Sequence, residues 1–188
     1  IALGLLRAGT DIEDAAALEK QLSDIEVTIS YENGVQQVFL NGENVTGLIR
    51  TEQVSDMTSR SSAKPQVRAK LTELQRTLAK KEDVLMDGRD IGTMILPDAQ
   101  LKIFLTASVK TRAERRYKEQ IEKGESCTLE EIERDIKERD YRDSHRETAP
   151  LRRAEDAVLV DSSDMTINEV VTEIVALARE RMQTATCR

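Results

Sequence analysis

Several residue types are scarce in this chain, and each scarcity excludes a class of protein. There is no tryptophan, and aromatic residues make up only 3% of the sequence, which argues against the stacking platforms that bind single-stranded nucleic acids. Two cysteines are too few for a disulfide framework. The single histidine, His145, has no histidine or cysteine partner at metal-ligand spacing, so we expect no zinc site.

Long apolar runs are missing as well. No stretch is long and apolar enough to cross a bilayer, and no secretory signal peptide is recognisable. The net charge of −7 argues against a broad surface for duplex nucleic acid. These absences predict a cytoplasmic protein that binds neither membranes nor nucleic acids. A local cluster of arginines could still bind a small anion.

The composition that remains is that of a globular protein. Charged residues are 34% and hydrophobic residues 39% of the chain, and 188 residues suffice for one domain with a core and a small inserted lobe. The chain starts at Ile1 with an apolar run typical of the end of a helix, and Gly9 is suited to stop that helix. We therefore expect a fragment, or a chain whose N-terminal part is absent.

Residues 24 to 48 predict a small antiparallel sheet inserted between helices. Val27, Ile29 and Tyr31 alternate with polar residues, and the apolar residues Val35, Val38 and Leu40 follow a turn. The pair Asn33–Gly34 between these runs is a strong hairpin signal, and Asn41–Gly42 marks a second turn.

Helical and strand patterns alternate along the rest of the chain. Three short apolar runs, at 84–86, 101–106 and 157–160, predict strands of a buried parallel sheet. The predicted helices begin after capping residues or at a proline, and these helix starts are Asp11, Thr51, Pro65, Ser108 and Thr128, with a terminal helix from Ile167.

The segment Asp87–Thr93 follows the first of these strands and has the sequence Asp-Gly-Arg-Asp-Ile-Gly-Thr. It places two carboxylates and a guanidinium at the carboxyl end of a strand, where ligands bind in open α/β sheets. Gly88 and Gly92 leave room for a ligand to approach the backbone. Taken alone, the segment fits a polar turn equally well.

A second candidate region, from Arg112 to Arg153, is rich in arginine. On a helix, Arg139, Asp143 and Arg146 fall on one face. Guanidinium groups bind phosphate oxygens bidentately and never lose their charge. The interleaved acidic residues also fit a solvated helix with internal ion pairs. The excess of arginine over lysine favours phosphate binding.

Spaced segments over essentially the whole chain carry a resemblance to one family. They are Leu40–Thr46, Ile49–Thr51, Asp87–Thr93, Leu96–Ala99, Lys102–Ser108, Ile136–Asp140, Arg142–Asp143, Arg146 and Ala149–Leu151. In this order they resemble the bacterial cytidylate kinases. The resemblance implies an α/β fold, with a P-loop kinase-type parallel sheet flanked by helices, a small antiparallel β insert and a helical lid. It places the core at 1–23, 49–111 and 147–188, the monophosphate-binding insert at 24–48 and the arginine-rich lid at 112–146.

The resemblance also implies roles for individual residues. Cytosine offers an amino donor and two acceptors, which suit a carboxylate or hydroxyl and an arginine. The residues that resemble the cytosine-binding residues of the family are Ser59, Arg68 and Asp90. Without the resemblance, Ser59 and Arg68 would be interpreted as ordinary surface residues. Asp143 resembles the residue that accepts from the ribose hydroxyls. The phosphate-binding arginines are implied to be Arg89, Arg139 and Arg146, and the arginine that reaches the transferring phosphoryl to be Arg115 or Arg116.

The implied activity is phosphoryl transfer from ATP, with Mg²⁺, to CMP and dCMP, by a monomeric enzyme of pyrimidine metabolism. The chain departs from the family in one respect, because no Gly-x-x-x-x-Gly-Lys-Ser/Thr occurs in it and its ATP-binding residues are therefore unknown. We expect the complete protein to be active and this chain alone to be inactive. Two alternatives stay open: a kinase for another small acceptor such as UMP, and a nucleotide-binding domain without catalysis.

Overall fold

A computed structural model describes residues 1–145 and 149–186. The chain divides into two compact units, Ile1–Val84 and Leu85–Arg188, which we call the N-terminal and C-terminal units. None of the helices within the described residues is long and apolar enough to span a membrane.

The N-terminal unit combines four helices with one small sheet. Its helices and strands are α1 (Ala2–Arg7), α2 (Ala15–Ser23), β1 (Val27–Glu32), β2 (Val35–Leu40), β3 (Glu43–Asn44), α3 (Glu52–Ser61) and α4 (Pro65–Lys81).

The helices of this unit begin at the predicted residues, except that one predicted capping residue is wrong. Thr51 caps α3 by accepting from the backbone N–H of Val54 at 3.3 Å, and Pro65 is the first residue of α4, as predicted. The predicted cap of α2 at Asp11 is wrong. Asp14 caps this helix instead, because its carboxylate accepts from the backbone of Ala16 and Ala17, whereas Asp11 accepts from Glu13 within the preceding turn.

The predicted antiparallel sheet is confirmed. β1 pairs with β2 from Val27↔Leu40 to Glu32↔Val35, and β2 pairs with β3. Both connections have positive φ at their two central residues, with 52° and 77° at Asn33–Gly34 and 50° and 81° at Asn41–Gly42, as type I′ turns require. The Asn41 side chain also accepts from Glu26 N at 2.7 Å and donates to the carbonyl of Asp24 at 3.0 Å.

One apolar core joins this sheet to the helices around it. Leu40 of β2 and Val45, which follows β3, are buried in the same cluster as residues of all four helices. The buried members of the cluster are Ala2, Leu5, Ile12, Leu18, Leu22, Ile25, Leu40, Val45, Val54, Met57 and Val67.

The proposed division of the chain into core, insert and lid stays a prediction.

The C-terminal unit contains a two-stranded parallel sheet and three long helices. β4 pairs with β5 in parallel from Ile103↔Val158 to Thr106↔Asp161. With the antiparallel sheet and the flanking helices, this confirms the predicted α/β class. Its helices and strands are a five-residue π-helix at Ile91–Ile95, β4 (Ile103–Thr106), α5 (Val109–Glu122), α6 (Leu129–His145), β5 (Val158–Asp161) and α7 (Ile167–Thr186).

The predicted strand at 84–86 is wrong. Within the described residues this segment pairs with neither β4 nor β5 and belongs to no helix or strand. Leu85 is 89% exposed, so its side chain gains nothing from burial. An apolar run without a neighbouring strand has no partners for its backbone hydrogen bonds, and it therefore adopts no β structure.

We expect Gly34→Ala to destabilise the protein, because alanine is strained at a φ of 77°. The free energy of unfolding should fall by about 1–2 kcal/mol, measured by urea denaturation. Gly47→Ala is the matched control, since no atom within 4 Å would meet a Cβ there and its φ is not positive. Equal stability of the two variants would contradict the assigned turn.

Candidate active site

The candidate site lies at the carboxyl end of the parallel strand pair in the C-terminal unit. The residues that follow the two strands are tied together there. Ser162 N and Ser162 Oγ donate to the carbonyl of Thr106 at 2.8 and 3.0 Å, and Ser108 N donates to Ser163 Oγ at 2.8 Å. This edge is where open α/β sheets bind their ligands.

Helix α5 begins at this edge and points two arginines back towards it. Ser108 caps the helix by accepting from Thr111 N at 3.0 Å, as predicted. Arg112 Nε donates to the carbonyl of Ala107 at 3.0 Å. Arg115 Nη2 donates to the carbonyls of Ser162 at 2.6 Å and Met165 at 3.0 Å. Arg112 therefore anchors α5 to the end of β4, and Arg115 anchors α5 to the residues that follow β5.

Helix α6 packs against α5. The helix begins after Thr128, as predicted, and Thr128 forms a capping box with Glu131, in which the Thr128 hydroxyl donates to the Glu131 carboxylate at 2.7 Å. Farther along, Asp140 accepts two hydrogen bonds from Arg112, at 2.9 and 2.7 Å. This hydrogen bonding with Asp140 raises the pKa of Arg112 above its usual value, so the guanidinium stays charged.

Three of the predicted site residues come together around one carboxylate. Asp143 Oδ2 is in direct contact with Arg89 Nε, and it lies 3.9 Å from Arg139 Nε. The Asp143 side chain is 19% exposed, against 36% for Arg89 and 56% for Arg139. We call Arg89, Arg139 and Asp143 the arginine–aspartate cluster. Its two guanidinium groups can exchange the carboxylate for phosphate oxygens, to which arginine binds bidentately.

The structure does not bring Asp90 into this cluster, and Ser59 and Arg68 belong to the other unit. Asp90 precedes the π-helix and is half-buried, and its carbonyl accepts from Met94 N at 2.8 Å. Ser59 is exposed on α3, and Arg68 is half-buried in the first turns of α4, both in the N-terminal unit. Arg146 lies outside the described residues.

Arg115 and Arg116 differ in their contacts. The guanidinium of Arg115 is occupied by backbone carbonyls, whereas Arg116 is exposed and makes no hydrogen bond or ion pair with the residues that the structure describes. Of the two arginines predicted to reach the transferring phosphoryl, Arg116 is therefore the one without a hydrogen-bond partner in the described residues, although its charge contributes to lowering the pKa of Glu119.

One pair of residues near the cluster was not assigned a role from sequence. Arg112 was counted among the arginines of its segment, and its bidentate partner Asp140 was not singled out. The predicted topology could have indicated this pairing. In an antiparallel helical hairpin the first turn of one helix faces the last turns of the other, which places Arg112 of α5 opposite Asp140 of α6.

No group of three or more His, Cys, Asp or Glu side chains that could hold a metal ion exists within residues 1–145 and 149–186. These residues therefore supply no multidentate metal site of their own.

Comparison with known proteins identifies the family. The cytidylate kinase family profile matches residues 1–180. The cytidylate kinase of Ligilactobacillus salivarius is 48% identical over 176 residues, which is 94% of this chain and 79% of that protein. The cytidylate kinases of Streptococcus pneumoniae and Cupriavidus pinatubonensis are 48% and 47% identical over 172 and 175 residues, covering 91% and 93% of this chain and 77% of each relative.

The chain belongs to the cytidylate kinase family. It is thus of the nucleoside monophosphate kinase type, an enzyme class that transfers a phosphoryl group between nucleotides. Membership confirms the resemblance seen in the sequence, and it gives the arginine–aspartate cluster a chemical context in which phosphate is the expected ligand.

We expect Arg115→Ala to destabilise this cytidylate kinase family member and Arg116→Ala to leave its stability nearly unchanged. Loss of the charge-assisted hydrogen bonds from Arg115 to two carbonyls should lower the free energy of unfolding by about 1.5–3 kcal/mol. Arg116 is the matched control, with a change within about 0.5 kcal/mol. Urea denaturation measures both, and a larger loss for Arg116→Ala would show that their roles are reversed.

Proposed function

We propose that the protein transfers the γ-phosphoryl group of ATP to CMP, and also to dCMP. The observation that carries the proposal is the arginine–aspartate cluster, in a chain of the cytidylate kinase family. Two permanent positive charges beside one replaceable carboxylate suit the phosphate of a nucleoside monophosphate.

The chemistry requires no protein nucleophile. A phosphate oxygen of CMP attacks the γ-phosphorus of ATP in line, and the bond from that phosphorus to the β–γ bridging oxygen breaks, so that CDP and ADP form. Catalysis comes mainly from positioning and from spreading the developing negative charge. In this proposal Arg89, Arg139 and Arg146 hold the phosphate of CMP, and Arg116 or Arg115 meets the transferring phosphoryl.

The proposed roles towards the nucleoside follow from the resemblance and from hydrogen-bonding chemistry. Asp143 accepts from the ribose hydroxyls. Asp90 and Ser59 accept from the exocyclic amino group of cytosine, and Arg68 donates to the carbonyl oxygen and ring nitrogen. Uracil lacks that amino group, so this set of acceptors disfavours UMP.

ATP enters the proposal as co-substrate together with Mg²⁺. Mg²⁺ is usually held by substrate phosphates and one or two carboxylates rather than by a protein cage. The lack of a multidentate acidic cluster in the described residues is compatible with this mode of binding.

We further propose that residues 112–146 act as a lid. The α5–α6 hairpin buries only Ala113, Ile132 and Ile136 in its own small core and is otherwise dominated by charged side chains. Little buried apolar area gives little local stability, so such a hairpin can open and close over a nucleotide and exclude water from the reaction.

The alternatives differ in what they bind. A UMP-preferring kinase would keep the phosphate-binding arginines and bind UMP more tightly than CMP. A nucleotide-binding domain without catalysis would bind nucleotides but would not convert them to products.

The monomeric state, the cytoplasmic location and the lack of nucleic-acid binding stay predictions.

We expect Asp90→Ala to weaken CMP binding by about 2–5 kcal/mol, because a charged hydrogen-bond partner of the base is lost. Isothermal titration calorimetry of the 188-residue chain with CMP and with UMP measures the effect. UMP affinity should change much less, since uracil has no amino group for Asp90 to accept from.

Asp98→Ala is the control for Asp90→Ala. Asp98 is exposed and lies in the same unit, eight residues along the chain, so its loss changes the net charge equally without touching the proposed base contact. An Asp90→Ala variant that unfolds normally and binds CMP like the parent would remove Asp90 from the site.

The 188-residue polypeptide should produce no ADP in response to CMP. P-loop enzymes hold the β- and γ-phosphates with backbone amides and a lysine, and no such motif occurs in these residues. A coupled assay measures ADP, with the Ligilactobacillus salivarius cytidylate kinase as positive control. Turnover comparable to that control would show that the ATP site lies within these residues.

A further inference from the structure

The second half of α6 carries the site residues but lies beyond the apolar core of the hairpin. The buried residues that join α5 to α6 are Ala113, Ile132 and Ile136. Arg139 and Asp143 follow Ile136 along α6, towards the helix end. Another interaction must hold this part of α6 in place, because helix ends without buried contacts open readily.

Besides the contact of Arg89 with Asp143 and the hydrogen bond from Leu151 N to the carbonyl of Asp143 at 2.8 Å, this part of α6 is held by the ion pair of Arg112 with Asp140. It forms two parallel hydrogen bonds of 2.9 and 2.7 Å, and it is the only side-chain hydrogen-bonded link between α5 and α6 within the part of the chain that the structure describes. A planar guanidinium that meets both oxygens of a carboxylate fixes orientation as well as distance. The pKa of Arg112 is raised by the same bonds.

Arg112 is itself anchored to the sheet. Its third donor, Nε, reaches the carbonyl of Ala107, the first residue after β4. One rigid side chain thus connects the carboxyl end of the strand to the helix that carries Arg139 and Asp143. Lysine has one compact charge on a flexible stem and cannot reproduce this three-donor geometry.

The pair is separate from the contacts that a nucleotide would disturb. Asp140 meets Arg112, whereas Asp143 meets Arg89 and Arg139. If a phosphate draws Arg89 and Arg139 away from Asp143, the link between Arg112 and Asp140 and the hydrogen bond from Leu151 N to the carbonyl of Asp143 are left to keep the end of α6 in position.

We propose that Arg112 is a positioning residue, which acts through Asp140 to hold Arg139 and Asp143 at the carboxyl end of the sheet. Its effect on nucleotide binding rests on the proposed function, whereas its effect on α6 does not. The two effects are measured separately for that reason.

The first test follows hydrogen exchange of the ligand-free chain. Arg112→Lys and Asp140→Asn should both speed exchange in residues 137–145 by about threefold, while residues 129–135, held by Ile132, stay unchanged. Glu133→Gln is the matched control, because it removes the same charge from the same helix but breaks only the i,i+4 pair with Lys137 at 2.6 Å. Unchanged exchange in 137–145 for both variants would overturn the proposal.

The second test compares CMP with cytidine, which has the ribose and base but no phosphate. Arg112→Ala and Asp140→Ala should each weaken both ligands by about threefold, and the double variant should be no weaker than either single variant. This pattern identifies action through Asp140 on the ribose-binding Asp143. Arg112→Lys should recover only part of the affinity lost in Arg112→Ala.

A direct phosphate contact by Arg112 would give a different pattern and overturn the proposal. CMP affinity would then fall in Arg112→Ala with cytidine affinity unchanged, and Asp140→Asn would bind CMP more tightly because it frees the guanidinium. Failure of the parent chain to bind CMP at all would count against the proposed function, and the exchange experiment would still decide the role of Arg112.

Discussion

The parallel pairing of β4 with β5 is the constraint on which the arrangement of the C-terminal unit depends. Parallel strands end at the same edge, so the residues that follow them meet there. Ala107 and Ser162 consequently offer neighbouring backbone carbonyls, which Arg112 and Arg115 of α5 bind. The direction of α5 follows from these contacts, and α6 is placed through α5.

Charge neutralisation is the main feature of the arginine–aspartate cluster. Asp143 lies against two guanidinium groups, and it is the least exposed member of the cluster. Removal of Asp143 would leave like charges close together, which is costly in a partly buried place. Under the proposed function, a phosphate that displaces Asp143 replaces one anion beside the two arginines by another.

Local signals predicted most of the fold. The Asn–Gly pairs gave the hairpin turns, and the caps Thr51, Ser108 and Thr128 gave helix starts, because each of these depends on residues close in sequence. The prediction of a strand at 84–86 was wrong, because an apolar run in the sequence does not reveal whether another strand lies beside it. Asp11 and Asp14 offer the same carboxylate, and only the backbone path of the turn decides which one caps α2.

The candidate site was predictable to a lesser degree. The helical spacing of Arg139 and Asp143 put them on one face, but their meeting with Arg89 of a distant segment came from the family resemblance. The pairing of Arg112 with Asp140 depends on how two helices pack, which side-chain spacing within either helix does not encode.

The two Asn–Gly turns are also sites where the protein is expected to deamidate slowly. In such a pair the backbone nitrogen of glycine attacks the side-chain carbonyl of asparagine, ammonia leaves, and water opens the resulting succinimide to aspartate or isoaspartate. The amide of Asn41 is engaged by Glu26 and Asp24, whereas the Asn33 side chain makes no hydrogen bond among the residues that the structure describes. Slow deamidation should therefore begin at the tip of the first hairpin, where it adds a negative charge and, as isoaspartate, lengthens the backbone of the turn.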